Sequence, residues 1–282
     1  MIEARVIKLI SNEWTVQAGN KMYTCKCAGK IKFKKESPVV GDNVLIDEEN
    51  KVIEKILPRK NNLVRPPVSN IDIALVLTSC IEPSFSSNLL DKLLAIIEFN
   101  NIKPVICFTK YDLLSDTKEI DDIIKYYKRI GYDVVINNET DKIKKIIKNK
   151  ICVLTGQTGV GKSSLLNRLK ESLKLKTGEI SKALGRGRHT TRHVELLNIE
   201  GAYVADTPGF SSLNFFGMDE KSLKDNFIEF YKNEDKCKYK DCYHIKEDGC
   251  YIKEMVKCGD ILYSRYDNYV KFNEEIKKEK KW

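Results

Sequence analysis

Over residues 1–57 apolar and polar positions alternate in short runs, the period-two pattern of strands with one buried face. The runs at 4–10, 14–18, 22–27, 43–46 and 52–56 are separated by turn formers at 11–12, 19–20, 29, 41–42 and 49–50. Five such strands in this length predict a small β-barrel, with the OB-fold as the leading candidate. Pro58 and the stretch RKNNLVRPP at 59–67 break the pattern and mark a domain boundary. Beyond it the pattern changes. Apolar runs at 71–78, 105–108, 133–136 and 151–154 read as buried strands, and 89–99, 117–129 and 142–148 as amphipathic helices. Residues 177–189 read as an irregular loop, and 194–199 with 202–205 as an antiparallel pair around Glu200 and Gly201. Strands interleaved with helices predict a mainly parallel, doubly wound α/β sheet. The last stretch, 260–282, reads as a Lys- and Tyr-rich helix that either touches a polyanion or is simply solvated. The predicted domains are 1–64, 65–217 and 218–282.

Composition narrows the class. An apolar fraction of 42% supports a real core in this 282-residue chain, and the net charge of +9 fits either a polyanionic partner or a solvated Lys-rich surface. Glu3 and Arg5 interrupt the N-terminal stretch where a signal peptide needs an apolar core. The longest apolar run, 71–81, contains Asp72 and is too short to span a bilayer. The expectation is a soluble, cytoplasmic monomer without a membrane partner. Of the nine cysteines, Cys80, Cys107 and Cys152 lie in apolar runs and read as reduced core residues. On the barrel, Lys26, Lys30, Lys32, Phe33, Lys34 and Lys35 suit either single-stranded nucleic acid or a plain charged loop.

The sharpest chemistry lies at 151–169, ICVLTGQTGVGKSSLLNRL. An apolar strand runs into a G-x-x-x-x-G-K-S/T loop, Gly156, Gln157, Thr158, Gly159, Val160, Gly161, Lys162 and Ser163, then Ser164 and a helix with Leu165, Leu166 and Leu169 on one face. Glycines let backbone N–H groups converge on phosphate oxygens, Lys162 reaches the outer phosphates, and Ser163 can ligate Mg²⁺. After the strand at 202–205 comes DTPG. Asp206 there is placed to hold Mg²⁺ through water, and Gly209 offers an N–H to a γ-phosphate. Between them, GRGRHTTR at 185–192 supplies His189, Thr190, Thr191 and Arg192, with Thr191 favoured over Thr190 as the switch ligand to Mg²⁺.

Base choice is read from Thr109, Lys110, Tyr111 and Asp112 at a strand end. A carboxylate there accepts from N1–H and the exocyclic amine of guanine, a donor pair that adenine lacks, so Asp112 favours GTP over ATP. This disfavours a P-loop ATPase or kinase. Lys110 packs along the base plane, and Thr109 stands where GTP-binding proteins carry Asn in NKxD. Ordinary GTPases run P-loop, switch threonine, DxxG, NKxD. Here TKYD precedes the P-loop, so the motif order is circularly permuted, which surface-loop ends tolerate. The chain leaving DxxG then runs into the C-terminal segment, so switch motion is expected to reach it. That segment carries Cys237, Cys242, His244 and Cys250, three thiols and an imidazole suited to a four-coordinate structural Zn²⁺, with Cys258 as a competing ligand.

Barrel, permuted GTPase motifs, GRGRHTT, DTPG and the Cys/His cluster together resemble the ribosome small-subunit-dependent GTPase A family (RsgA, also called YjeQ) over essentially the whole chain. The resemblance implies an OB-fold, a permuted GTPase domain and a small α-helical zinc domain. It also implies hydrolysis of GTP to GDP stimulated by the small ribosomal subunit, late 30S maturation, and contact with 16S rRNA. The alternative is an rRNA-binding assembly protein in which GTP is a structural or regulatory ligand. Two departures stand out. The base loop usually carrying Ser-Ala reads Asn137, Asn138, Glu139, which places that contact near Asn137. Phe210 stands where Ras-like enzymes carry the water-orienting Gln, predicting slow hydrolysis alone, with His189 either an internal candidate or an RNA contact. The P-loop stretch 157–160 holds no Asn of the kind that carries K⁺ in some GTPases.

Overall fold

A computed structural model describes residues 1–29, 31, 36–63, 67–170, 194–206 and 214–279, the side chains of Val194 and Asp206 excepted. Five strands open the chain: β1 Ile2–Ile10, β2 Glu13–Ala18, β3 Lys21–Cys27, β4 Asn43–Asp47 and β5 Val52–Ile56. Short strands β6 Asn62–Leu63 and β7 Val68–Ser69 occupy the breaker segment. Then come β8 Ile73–Ser79, α1 Ser87–Phe99, β9 Lys103–Thr109, α2 Lys118–Ile130, β10 Asp133–Ile136, α3 Thr140–Ile147, β11 Ile151–Thr155 and α4 Lys162–Leu169. The hairpin β12 Val194–Ile199 and β13 Ala202–Asp206 precedes four C-terminal helices: α5 Glu220–Asp225, α6 Ile228–Tyr231, α7 Tyr251–Lys257 and α8 Tyr263–Glu279. The chain divides into two compact units, Met1–Leu75 with Asn138–Ser211, and Val76–Asn137 with Ser212–Trp282.

In the first unit β1 pairs with β2 and β4, β2 with β3, β3 with β5 in parallel, and β5 with β4, which closes a five-strand OB-type barrel. The inward set of the alternation, including Val6, Trp14, Val16, Cys25, Val44, Ile46 and Ile53, is buried. Asp42 is fully buried beneath the barrel. It accepts from Arg59 Nε and Nη2 at 2.7 Å each, and from Ser69 Oγ at 2.6 Å, fastening the breaker segment. Its neighbour Gly41 has φ +94°, and a Cβ there would meet the Ser69 carbonyl oxygen at 2.2 Å, so only glycine fits. β11 runs parallel to β13, β13 antiparallel to β12, and β12 antiparallel to β1, with Lys8 and Glu195 paired at 2.7 Å across that last seam. Tyr203 of β13 donates its hydroxyl to Gln17 of β2 at 2.8 Å.

In the second unit β10, β9 and the part of β8 from Val76 onward lie in that order, with β9 and β10 parallel. The C-terminal helices pack onto α1. Phe215, Leu223, Phe227, Phe230, Ile252, Tyr269 and Phe272 pack in one cluster with Ala95 and Ile96 of α1. The sequence offered a polyanion contact or a solvated tail for the last helix, but α8 is a core element. Arg265, Asn268, Tyr269, Phe272, Asn273 and Ile276 recur at helical spacing on its buried face. Among the described residues no helix is long and apolar enough to cross a membrane.

Candidate nucleotide and metal sites

The phosphate-type loop grows from β11, which is buried along its whole length. Gly156, Gly159 and Gly161 have φ of 143°, 81° and 97°, conformations that side chains rarely adopt, so the loop's shape depends on these glycines. Helix α4 starts on Gly161 with no side-chain cap, leaving its first N–H groups without a capping side chain, while buried Leu165, Leu166 and Leu169 fix its direction. Lys162 Nζ donates to the carbonyls of Gly156 at 2.7 Å and Gln157 at 3.0 Å, so its ammonium lies folded over the loop. Gln157, Thr158 and Gly159 are exposed, Val160 is buried, and Ser163 and Ser164 are half-buried in the first turn of α4. In the β11–β13 register Leu154 stands opposite Asp206, which puts the Asp206 backbone beside the strand end that feeds the loop. Thr190, Thr191, His189, Arg192, Gly209 and Phe210 lie outside the described residues, as do Lys30, Lys32, Phe33, Lys34 and Lys35 of the barrel.

In the second unit, Thr109 ends β9 buried, its hydroxyl 3.4 Å from the Thr78 carbonyl. Lys110 follows with φ 58°, its Nζ on the Glu82 carbonyl oxygen, and turns the chain into a single 3₁₀ turn over Tyr111–Leu113 that presents Asp112 exposed. Burial, and then the nearby Asp112 charge, push the Cys80 thiol up to about 11. Tyr111 donates its hydroxyl to Asp121 at 2.8 Å. That bond, with one from Thr117, holds the Asp121 carboxyl below its ordinary value. Asn137 follows β10 in the adjacent strand. It is buried, donates its N–H to the Phe108 carbonyl at 2.9 Å, and keeps a buried side-chain oxygen with no protein partner. Thr109, Lys110, Asp112 and Asn137 thus gather at the carboxyl ends of β9 and β10, where open α/β sheets bind ligands.

The second cluster comprises Cys237, Cys242, His244 and Cys250, whose ligand atoms all lie within 4.8 Å of one another, and Cys258 is not among them. His244 Nδ1 is 3.6 Å from Cys237 Sγ and 3.4 Å from Cys250 Sγ. Tetrahedral zinc, with Zn–S about 2.3 Å and Zn–N about 2.05 Å, sets an S···N edge of about 3.6 Å. The residues therefore fit zinc with Nδ1 as the histidine ligand. Burial, then the Lys224 charge, push His244 down to about 4, so the imidazole is neutral as a ligand must be. Burial pushes the Cys242 thiol up to about 12 and Cys250 upward as well; a bound divalent cation reverses that by stabilising thiolate. The knuckle backbone is held from outside. Tyr266 and Tyr269 donate to the carbonyls of His244 and Tyr243 at 2.7 and 2.8 Å, and Glu247 accepts from the N–H groups of Tyr243 and Ile245 at 2.9 Å each. Burial opposes the Glu247 charge, but these N–H donors hold its carboxyl below its ordinary value.

Sequence reasoning missed one polar cluster. Arg265 of α8 is buried and bonds Glu229 at 2.7 Å and Asp91 at 2.7 Å. Asp91 also accepts from the Tyr127 hydroxyl at 2.6 Å and from Asn268 at 2.7 Å. Its only sequence signal is an Asp inside the apolar run LLDKLLAII of α1, where a buried helix face should be unbroken.

Known proteins agree with this geometry. The family model described as RsgA GTPase matches residues 56–216, and the RsgA N-terminal domain model matches residues 3–53. The Listeria monocytogenes protein "Small ribosomal subunit biogenesis GTPase RsgA 2" is 45% identical, with 99% of each chain covered. The Bacillus subtilis protein "Small ribosomal subunit biogenesis GTPase RsgA" is 42% identical at the same coverage. The crystal structure of YloQ, a circularly permuted GTPase, superposes with a TM-score of 0.83 at 36% identity, covering 99% of this chain and 96% of that one. YjeQ from Thermotoga maritima gives 0.82 at 32%, with 98% of each covered. With one family model over the barrel, another over the core and relatives aligned end to end, this chain belongs to the RsgA family of circularly permuted GTPases and is a GTP hydrolase.

Proposed function

We propose that this chain hydrolyses GTP to GDP and phosphate during late maturation of the 30S subunit. In this reading the small ribosomal subunit stimulates turnover, and the chain contacts 16S rRNA. The reading is supported by the exposed Asp112 turn at the end of β9, the signature of a guanine-reading loop, together with relatives named small ribosomal subunit biogenesis GTPases. It places the protein in the cytoplasm as a monomer organised as 1–64, 65–217 and 218–282, with zinc held by Cys237, Cys242, His244 and Cys250.

The roles follow from the chemistry. The backbone N–H groups from Gly156 to Ser164 cradle the phosphates, and Lys162 exchanges its carbonyl contacts at Gly156 and Gln157 for β- and γ-phosphate oxygens. Ser163 and Thr191 would hold Mg²⁺, and Asp206 would bind it through water. When bound there, the ion would neutralise charge developing on the phosphates. Gly209 offers its N–H to the γ-phosphate. Asp112 accepts from N1–H and the exocyclic amine of guanine, Lys110 covers the base plane, and Thr109 supports the turn. Phe210 has no polar group with which to orient water, so turnover without the subunit is slow.

The test is GTP turnover with and without isolated small subunits. Stimulation is expected, and full-rate hydrolysis by the protein alone would refute the account of Phe210. GDP should displace a labelled GTP analogue while ADP does not. Lys162→Ala should abolish nucleotide binding or turnover with zinc retained. Unstimulated turnover, with rRNA binding intact, would instead favour an assembly protein that uses GTP as a structural or regulatory ligand.

A further inference from the structure

Helix α2 is tied at both ends to different parts of the second unit. At its N-terminal turn, Asp121 accepts from the hydroxyls of Tyr111 at 2.8 Å and Thr117 at 2.9 Å, and Tyr111 is the residue between Lys110 and Asp112. Tyr111 also closes the turn that carries Asp112, through Leu114 N–H to its carbonyl at 3.2 Å. At the other end, the Tyr127 hydroxyl donates to Asp91 at 2.6 Å, and Asp91 is held by Arg265 and Asn268 of α8 at 2.7 Å each. Arg265 is fixed in turn by Glu229 of α6 at 2.7 and 3.1 Å and lies over the Phe227 ring at 4.2 Å. Two more ties reach the last residues of α2. Arg129 donates to the carbonyls of Gly259 and Asp260 at 3.3 and 2.8 Å, and Lys232 to that of Ile130 at 3.3 Å.

Between the ties the helix is a continuous rod. Asp121 and Tyr127 are six residues apart in sequence, about 9 Å along a helix axis at 1.5 Å per residue. At the Asp91 end the side-chain partners of Tyr127, Asp91 and Arg265 come from α1, the C-terminal helices and Tyr132 just after α2. At the Asp121 end the TKYD turn is joined through Tyr111, one peptide from the base-reading carboxylate. A buried Arg with two carboxylates is an expensive way to gain stability, because apolar side chains of similar volume serve as well. The bonds of this cluster are directional and join α1, α6 and α8.

We propose that α2 transmits the position of the zinc-bearing C-terminal module to the TKYD turn, with Tyr127, Asp91 and Arg265 at one end and Asp121 and Tyr111 at the other acting as positioning residues for Asp112. The proposal rests on the reading that Asp112 binds the guanine base. The module thereby acts on base recognition, and a displacement of α8 re-aims the Asp112 carboxylate through a rigid element.

Inosine diphosphate lacks the exocyclic amine, so the ratio of GDP to inosine diphosphate affinity reads Asp112 alignment directly, where a purely structural role would move only stability. Three variants are suited to the test. Tyr111→Phe cuts the loop end. Tyr127→Phe cuts the buried end but leaves Asp91 its bonds to Arg265 and Asn268. Arg129→Ala cuts the exposed tie to Gly259 and Asp260. In the full-length protein, each should contract the GDP preference by about threefold to tenfold, with zinc content unchanged. The Tyr111→Phe, Tyr127→Phe double variant should contract it no further than the worse single variant, because both cut one lever. An unchanged ratio in Tyr127→Phe and Arg129→Ala, or full multiplication of effects in the double variant, overturns the proposal. A wild-type protein with no preference for GDP over inosine diphosphate overturns the Asp112 reading itself.

Discussion

Replacing Arg265 by Met probes the second unit where most is at stake. Arg265, Asp91 and Glu229 are 1%, 0% and 3% exposed, so all three charges are out of water. Burial opposes the guanidinium charge, but Glu229 and then Asp91 hold it well above its ordinary value. Met fills much of the volume against Phe227 and is tolerated sterically. The substitution leaves two buried carboxylates without their cation, a defect worth about 3–5 kcal/mol. By contrast, Lys92→Met, at the half-exposed pair with Glu275, should cost only about 0–1 kcal/mol. Denaturant unfolding followed by near-ultraviolet circular dichroism is the assay, because Tyr126, Tyr127 and Tyr132 surround the site. The variant also predicts a pH signature. Burial pushes the Asp91 carboxyl up and Arg265 pulls it down, so without Arg265 its folded value rises further above the unfolded one, and the stability it allows is full at low pH and is lost as pH rises. The deficit against wild type should therefore widen from pH 5 to pH 8. Adding Asp91→Asn and Glu229→Gln should recover most of it. A deficit below about 1 kcal/mol, or one independent of pH, refutes the reasoning.

Glu98 of α1 gives a second pH test. Burial pushes its carboxyl up to about 7, against the pull of Arg265 and Lys232. Its contribution to stability is full below its unfolded value of about 4.5 and is lost as pH rises through about 7. Glu98→Gln should gain stability relative to wild type between pH 5 and pH 8, and parallel pH curves would exclude this. At the cysteine cluster, purified protein should carry one zinc per chain by elemental analysis. Cys250→Ser should lower that content and remove hydrogen-exchange protection from residues 237–250, and retained zinc would remove Cys250 from the ligand set.

The chain's local chemistry was legible because it depends on residue type and short-range backbone geometry. Glycines at 156, 159 and 161 adopt the φ values that the loop demands, TKYD sits at the end of its strand, and the Cys and His spacing closes within one knuckle. Barrel strands were legible through alternation, since a pleat sends every second side chain inward. What the tertiary structure decided is which distant surfaces join. β12 docks on β1 in a seam that neither strand's own pattern announces. The last helix looked like a charged tail because its inner stripe is half polar, with Arg265, Asn268 and Asn273 among its buried positions. A polar residue reads as solvated until its partners are known, and Asp91 and Arg265 lie 174 residues apart. Burial turns that pair from surface charge into a joint between the zinc-bearing module and the helices behind the TKYD turn, and only the folded chain sets burial.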